Sequence, residues 1–210
     1  MIGFYDYTVV VTYISLVSSI VGMFCAIDGK LTVAVFCLAF SGLCDMFDGK
    51  IARTKKDRTD DEKSFGIQID SLCDIVCFGI FPIILGYKLG MCKLYSIVIL
   101  AFYGLAGVIR LAYFNVMEEE DQNRDESGAK IYTGLPVTSA ALIFPAVLLI
   151  HMLIRADLTF LYFGVMLITG GLFISKIQIK KPQNKGIATM IFFGAVECVV
   201  LIFALKFLKK

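Results

Sequence analysis

Along the chain, long apolar runs alternate with short polar connections. Seven such runs stand out, at about 9–27, 31–51, 66–90, 94–116, 134–154, 157–176 and 186–207. Each is close to the ~20 residues that a helix rising ~1.5 Å per residue needs to cross about 30 Å of hydrocarbon. The pattern predicts an all-α integral membrane protein. It would be a bundle of about six to eight transmembrane helices forming one membrane domain over residues 1–210. What remains between the runs is too short for a separate soluble domain. Two connections are longer and charged, Thr54–Phe65 and Glu118–Thr133. Pro136 suits the first turn of the fifth helix, and Pro145 should bend it.

Composition strengthens this picture. Apolar residues make up 58% of the chain and charged residues 18%, against about 45–50% and about 25% in ordinary soluble domains. Disorder, collagen and coiled coil are excluded by the same figures. The net charge is only +2, and no basic patch with interleaved aromatics occurs, so no nucleic-acid partner is expected. The seven cysteines form no C-x-x-C and sit in or beside apolar runs, as small buried hydrophobes do in a reducing setting. The first 27 residues hold no Lys or Arg and no evident cleavage site, which reads as a retained first helix. Twelve positive residues fall on one side: Lys50 to Lys63, Arg124, Lys130 and Lys176 to Lys185. The positive-inside rule puts that side, and the N-terminus, in the cytoplasm; the expected location is a prokaryotic cell membrane. Lys206, Lys209 and Lys210 count the other way, because an odd number of helices puts the tail outside.

The chemistry is carried by acids placed where lipid should be. The second run ends on Asp45, Asp48, Gly49, Ala52 and Arg53, and the third begins with Gly66, Asp70 and Asp74. An acid at a helix centre costs about 2.5–3.5 kcal/mol on insertion scales. Four of them need something to offset that cost, and a divalent cation is the simplest candidate. Asp45, Asp48, Gly49 and Ala52 follow i, i+3, i+4, i+7, one helix face. Gly66, Asp70 and Asp74 follow i, i+4, i+8, again one face. A short connection can bring the two faces together, with the acids roughly 7–16 Å below the helix ends. Oxygen-only ligands favour Mg²⁺ or Mn²⁺ over zinc, and Mg²⁺ commonly binds through carboxylates and substrate phosphates. The small residues Gly49, Ala52 and Gly66 leave room for a nucleotide or phosphate against the backbone. The competing reading pairs these acids with Lys50, Arg53 or Arg110 purely to fix helix packing.

The stretch reads D-x2-D-G-x2-A-R-x12-G-x3-D-x3-D. It resembles the signature of the CDP-alcohol phosphatidyltransferases, integral membrane enzymes that displace CMP from a CDP-linked lipid with an alcohol. That pattern usually has about eight residues between Arg and Gly. Here there are twelve, and the extra ones fall in the charged Thr54–Phe65 connection. Asp70-Ser71-Leu72-Cys73-Asp74 with Phe78-Gly79, and Arg110-Leu111-Ala112-Tyr113-Phe114-Asn115-Val116, are similar to stretches of the phosphatidylserine synthase branch. So are Gly134-Leu135-Pro136 and Ser175-Lys176-Ile177.

The resemblance implies CDP-diacylglycerol and L-serine as substrates, a bilayer setting, a homodimer and a metal-binding cavity open to the cytoplasm. It gives Asp45, Asp48 and Asp70 the first Mg²⁺ or Mn²⁺. Asp74 becomes the general base with a share in a second metal. Gly49, Ala52, Arg53 and Gly66 shape the cytidine diphosphate pocket. Arg110, an intramembrane cation, is a candidate for a substrate phosphate or the serine carboxylate. Asn115 and Lys176 are weaker candidates for substrate contact. Other acceptors within the family remain open, glycerol 3-phosphate and inositol phosphate among them, as does an isoprenoid ether lipid. From a different class, a carboxylate-lined ion transporter would also keep acids in the membrane. It should show inverted repeats and acids at the midplane, and neither is evident.

Overall fold

The computed structural model describes residues 3–52, 54–119, 131–154, 157 and 159–180. Arg53, most of the second charged connection and the seventh apolar run lie outside these residues. The described elements are α1 (Tyr7–Ile27), α2 (Leu31–Ala52), α3 (Asp60–Asp74), a π-turn (Ile75–Ile80) and α4 (Phe81–Lys88). They are followed by α5 (Leu94–Glu119), β1 (Ile131–Thr133), a 3₁₀ turn (Val137–Ser139), α6 (Ala140–Ile154), α7 (Thr159–Phe173) and β2 (Gln178–Lys180).

Helix α1 is patterned the reverse way to a soluble helix. Thr8, Thr12, Ser15, Ser19, Gly22 and Ala26 are buried, while Val10, Ile14, Val17, Val21 and Phe24 are exposed. Both sets recur at helical spacing, so the small and polar face meets protein and the apolar face meets lipid. Gly29, with φ of 79°, ends the helix and lets Lys30 N donate to Cys25 O at 2.8 Å. The chain then returns as α2. Between the two helices Ser15 Oγ donates to Ser41 O at 3.2 Å, and the Ser19 and Ser41 hydroxyls lie 2.7 Å apart. Gly22 permits the approach. A Cβ there would fall 2.6 Å from Cys37 Cβ and 2.5 Å from Phe81 Cζ.

Helices α3 and α4 form one rod, Asp60–Lys88, interrupted by the π-turn. A capping box starts it: Glu62 N donates to Thr59 Oγ1 at 3.2 Å, and Thr59 N donates to Glu62 Oε2 at 3.0 Å. In the π-turn, Phe81 N donates five residues back, to Val76 O. Pro82 has no N–H to offer Phe78 O, its regular helical partner. Tyr103 on α5 supplies the missing donor, with its hydroxyl 2.6 Å from Phe78 O. The Tyr162 hydroxyl of α7 likewise donates to Pro82 O at 2.8 Å. The rings of Phe173, Tyr103, Phe144 and Tyr162 pack in that order with centroids 5.1–5.5 Å apart, and this aromatic cluster is the core of the α5–α7 half.

Among the described residues, four helical stretches are long and apolar enough to cross a membrane: Tyr7–Ile27, Leu31–Ala52, Asp60–Lys88 and Leu94–Met117. This corrects the expected six to eight spans. The fifth and sixth runs do form apolar helices, but α6 and α7 have 15 residues each, about 22 Å. The fifth run loses its first turn because Gly134 takes φ of 78° and Pro136 is extended with ψ of 138°. The sixth stops at Phe173 because the chain turns into β2. There Ile131, Tyr132 and Thr133 of β1 lie opposite Lys180, Ile179 and Gln178, a small antiparallel ribbon that the hydropathy pattern does not announce.

Candidate active site

The last turns of α2 face the stretch of α3 from Gly66 to Asp74. The short connection is held down at several points. Lys55 Nζ lies 2.8 Å from Asp6 Oδ2 and 2.9 Å from Glu62 Oε1, and the Tyr7 and Thr54 hydroxyls are 3.1 Å apart. Phe4 packs edge-on against Phe65 at 5.6 Å between centroids. The Lys55 ammonium, helped by the Thr8 hydroxyl, holds the Asp6 carboxyl down at about 2, and Asp6 and Glu62 in turn raise Lys55.

Within this frame, Asp45, Asp70 and Asp74 each bring a carboxylate oxygen to within 4.8 Å of the others. Asp45 abuts Asp74, and Asp48 abuts Asp70. Asp48 is turned partly away from the trio. One of its oxygens takes the Gly49 N–H and the other lies 3.4 Å from Thr12 Oγ1. Among the described residues none of the four acids makes an ion pair with Lys or Arg. Lys50 instead lies over the Phe47 ring at 5.4 Å. Asp70 Oδ1 is buried and lacks any hydrogen-bond partner. Buried polar atoms are ordinarily satisfied. Three clustered carboxylates with one oxygen left without a donor are a donor set that fits a hard divalent cation.

Beside the acids opens a cleft of about 480 Å³. Thr8, Val9 and Thr12 of α1, and Asp48, Gly49 and Ala52 of α2, line one part of it. Arg58 of the connection, with Lys63, Gly66, Ile67 and Asp70 of α3, lines the rest. Gly49 faces open space, whereas a Cβ on Gly66 would fall 2.5 Å from Arg58 Nη2. The motif's small residues and two of its acids therefore share one cleft with two cations.

Other candidates lie apart from the cleft. Arg110 is 7% exposed. Its Nε donates to Leu135 O at 3.2 Å, and its guanidinium lies 4.9 Å above the Phe114 ring. Asn115 Oδ1 accepts from Ser71 Oγ at 2.9 Å, a link from α5 to the residue following Asp70. Lys176 is exposed and does not line the cleft. Arg53 lies outside the described residues. Sequence reasoning passed over Thr8, Thr12, Arg58 and Lys63. The two threonines carried a signal, being four residues apart on the polar face of an otherwise apolar helix. Arg58 and Lys63 looked like any other charges of a cytoplasmic loop.

Comparison with known proteins decides the family. The family model described as CDP-alcohol phosphatidyltransferase matches residues 8–174, which include every element of the cleft. The chain belongs to the CDP-alcohol phosphatidyltransferase family. It is similar to an archaetidylserine synthase of Methanothermobacter thermautotrophicus, with 31% identity over 78% of this chain and 65% of that protein. Two proteins named CDP-diacylglycerol–serine O-phosphatidyltransferase also match. One, from Saccharomyces cerevisiae, is 34% identical over 49% of this chain and 37% of its own length. The other, from Methanocaldococcus jannaschii, is 28% identical over 82% of this chain and 74% of its own length. The chain thus spans less than two thirds of the first two relatives. Family membership and four bilayer-length apolar helices make this phosphatidyltransferase-family chain an integral membrane protein.

Proposed function

We propose that this protein transfers a phosphatidyl-type group from a CDP-linked lipid to the hydroxyl of L-serine and releases CMP. The observation that carries the reading is the trio Asp45, Asp70 and Asp74, with its unsatisfied Asp70 oxygen, beside a cleft walled by Gly49, Ala52 and Gly66. The serine acceptor is common to the names of all three relatives above, which supports serine over glycerol 3-phosphate or an inositol phosphate. Their names differ in the lipid, so diacyl and isoprenoid ether substrates both belong in the test.

The residues divide the work as follows. Gly49, Ala52 and Gly66 admit the cytidine diphosphate, and Arg53 follows them in the motif. Asp45, Asp48, Asp70 and Asp74 would hold Mg²⁺ or Mn²⁺, whose positive charge offsets that of the diphosphate as its bond breaks. Asp74 accepts the proton of the serine hydroxyl. The serine oxygen bonds to the phosphorus bearing the lipid, the bond from that phosphorus to CMP breaks, and CMP departs with the electron pair. Arg110, with Asn115 and Lys176 as lesser contributors, is assigned to the serine carboxylate or a substrate phosphate. The active end faces the cytoplasm, and the protein assembles as a homodimer.

The test uses purified protein with CDP-diacylglycerol or its archaeal ether counterpart and radiolabelled serine, with Mg²⁺, Mn²⁺ or chelator. Labelled phospholipid and stoichiometric CMP are expected only with a divalent cation. Equal product in chelator would remove the metal from the reading, and product with glycerol 3-phosphate but not serine would remove the acceptor. Detergent-corrected mass of a monomer would remove the dimer.

A further inference from the structure

Arg58 is placed unlike its charged neighbours. The connection that carries it holds four acids and four basic residues, and two of those acids are engaged by other cations: Glu62 pairs with Lys55 at 2.9 Å and Asp60 with Lys63 at 2.9 Å. Among the described residues Arg58 makes no ion pair with a carboxylate. Its Nη2 donates to the main-chain Glu62 O at 3.0 Å, which anchors the head. Its Nε is buried with no partner. The guanidinium lies over Gly66, where a side chain would strike Nη2 at 2.5 Å, and it lines the cleft with Lys63 while Asp48 and Asp70 line it as well. The cleft is therefore bipolar, with carboxylates from the helix faces and a guanidinium from the connection. A buried N–H without an acceptor is unfavourable unless a ligand supplies one.

We propose that Arg58 is a substrate-binding residue whose guanidinium holds the diphosphate of the CDP-linked lipid. This rests on the transferase reading above. A planar guanidinium presents paired donors that match two oxygens of a phosphate, which an ammonium does not. Gly66 then has a second use: its bare backbone makes room for the arginine head as well as for nucleotide.

The experiment measures CDP and cytidine binding by calorimetry on the full chain in detergent with Mg²⁺, together with KM for CDP-diacylglycerol and for serine. Arg58→Ala and Arg58→Gln are compared with the unaltered protein. Glutamine keeps bulk and a donor for Glu62 O, so a folding defect in the alanine variant leaves the question answerable. Both variants should bind CDP about ten- to a hundredfold more weakly, the range of a lost charge-assisted hydrogen bond. KM for the CDP-lipid should rise in step, with cytidine binding and the KM for serine unchanged. Arg58→Lys should recover part of the loss. CDP affinity within twofold of the unaltered protein in the glutamine variant overturns the assignment and leaves the transferase reading standing. So does an equal loss for cytidine and CDP, which would mark a structural residue. Failure of the unaltered protein to bind CDP at all overturns both.

Discussion

Two regions bury polar groups in this protein, and they treat them in opposite ways. In the α4–α5–α7 region the buried tyrosine hydroxyls each have a partner. Tyr103 serves the carbonyl that Pro82 leaves open, and Tyr162 serves Pro82 O itself. The α1–α2 serines do the same for each other. At the α2–α3 mouth the reverse holds. Asp70 Oδ1 and Arg58 Nε are the described buried side-chain atoms left without a hydrogen bond, and they line one cleft. Where polarity serves folding it is closed internally. Where it is left open, a ligand is expected to close it.

The sharpest way to break this contrast is at the open end. Asp70→Asn should lower turnover by at least about a hundredfold, the scale of losing one preorganised electrostatic contact in an active site. The melting temperature should hold or rise, because a neutral amide relieves carboxylate crowding. A large fall in melting temperature with activity retained would make Asp70 a packing residue. The closed end should respond the other way. Tyr103→Phe strands Phe78 O and should cost about 1–3 kcal/mol of stability, read as a lower melting temperature in detergent, with KM values little changed. A similar substitution at Ser71, Ser71→Ala, removes the tie to Asn115. It lies on the border between the regions and should cost about 0.5–1.5 kcal/mol with a severalfold drop in turnover.

The smallest effect concerns the strap. The Asp6 carboxyl is held at about 2, below its usual 3.8, so its stabilising contribution is complete above about pH 4. It is lost as pH falls through about 2. Lys55 is raised, so its contribution holds below its ordinary value and disappears only in strong alkali. Asp6→Asn should therefore reduce stability slightly and evenly from pH 5 to 9, measured by thermal unfolding. An effect confined to acidic conditions would show that the pair contributes nothing at neutrality.

Much of the site was legible because helices convert spacing into faces. Asp45 and Asp48 at i, i+3, and Gly66, Asp70 and Asp74 at i, i+4, i+8, could only serve a common purpose if the two faces met. Which carboxylates converge was not legible. Asp45 joins Asp70 and Asp74 while Asp48 turns to Thr12 and Gly49, a matter of rotamers set by a third helix. Six of the seven apolar runs are apolar helices among the described residues. The shortening of the fifth and sixth depends on tertiary turns at Gly134 and after Phe173, which hydropathy does not register. Arg58 was invisible because a loop arginine declares itself only by what it fails to pair with.

The wide turn at Ile75–Ile80 works as a phase joint. Each residue added to a helix advances it by about 100°, and a π-turn absorbs one extra residue without breaking the rod. The rod can therefore point Asp70 and Asp74 toward α2 on one side of the joint and bring Phe81 and Leu85 into the core on the other. Deleting a single residue within the joint would restore uninterrupted α geometry. The carboxylates and the core side chains could then no longer both face inward, so carboxylate alignment and helix packing are set by one shared angular offset.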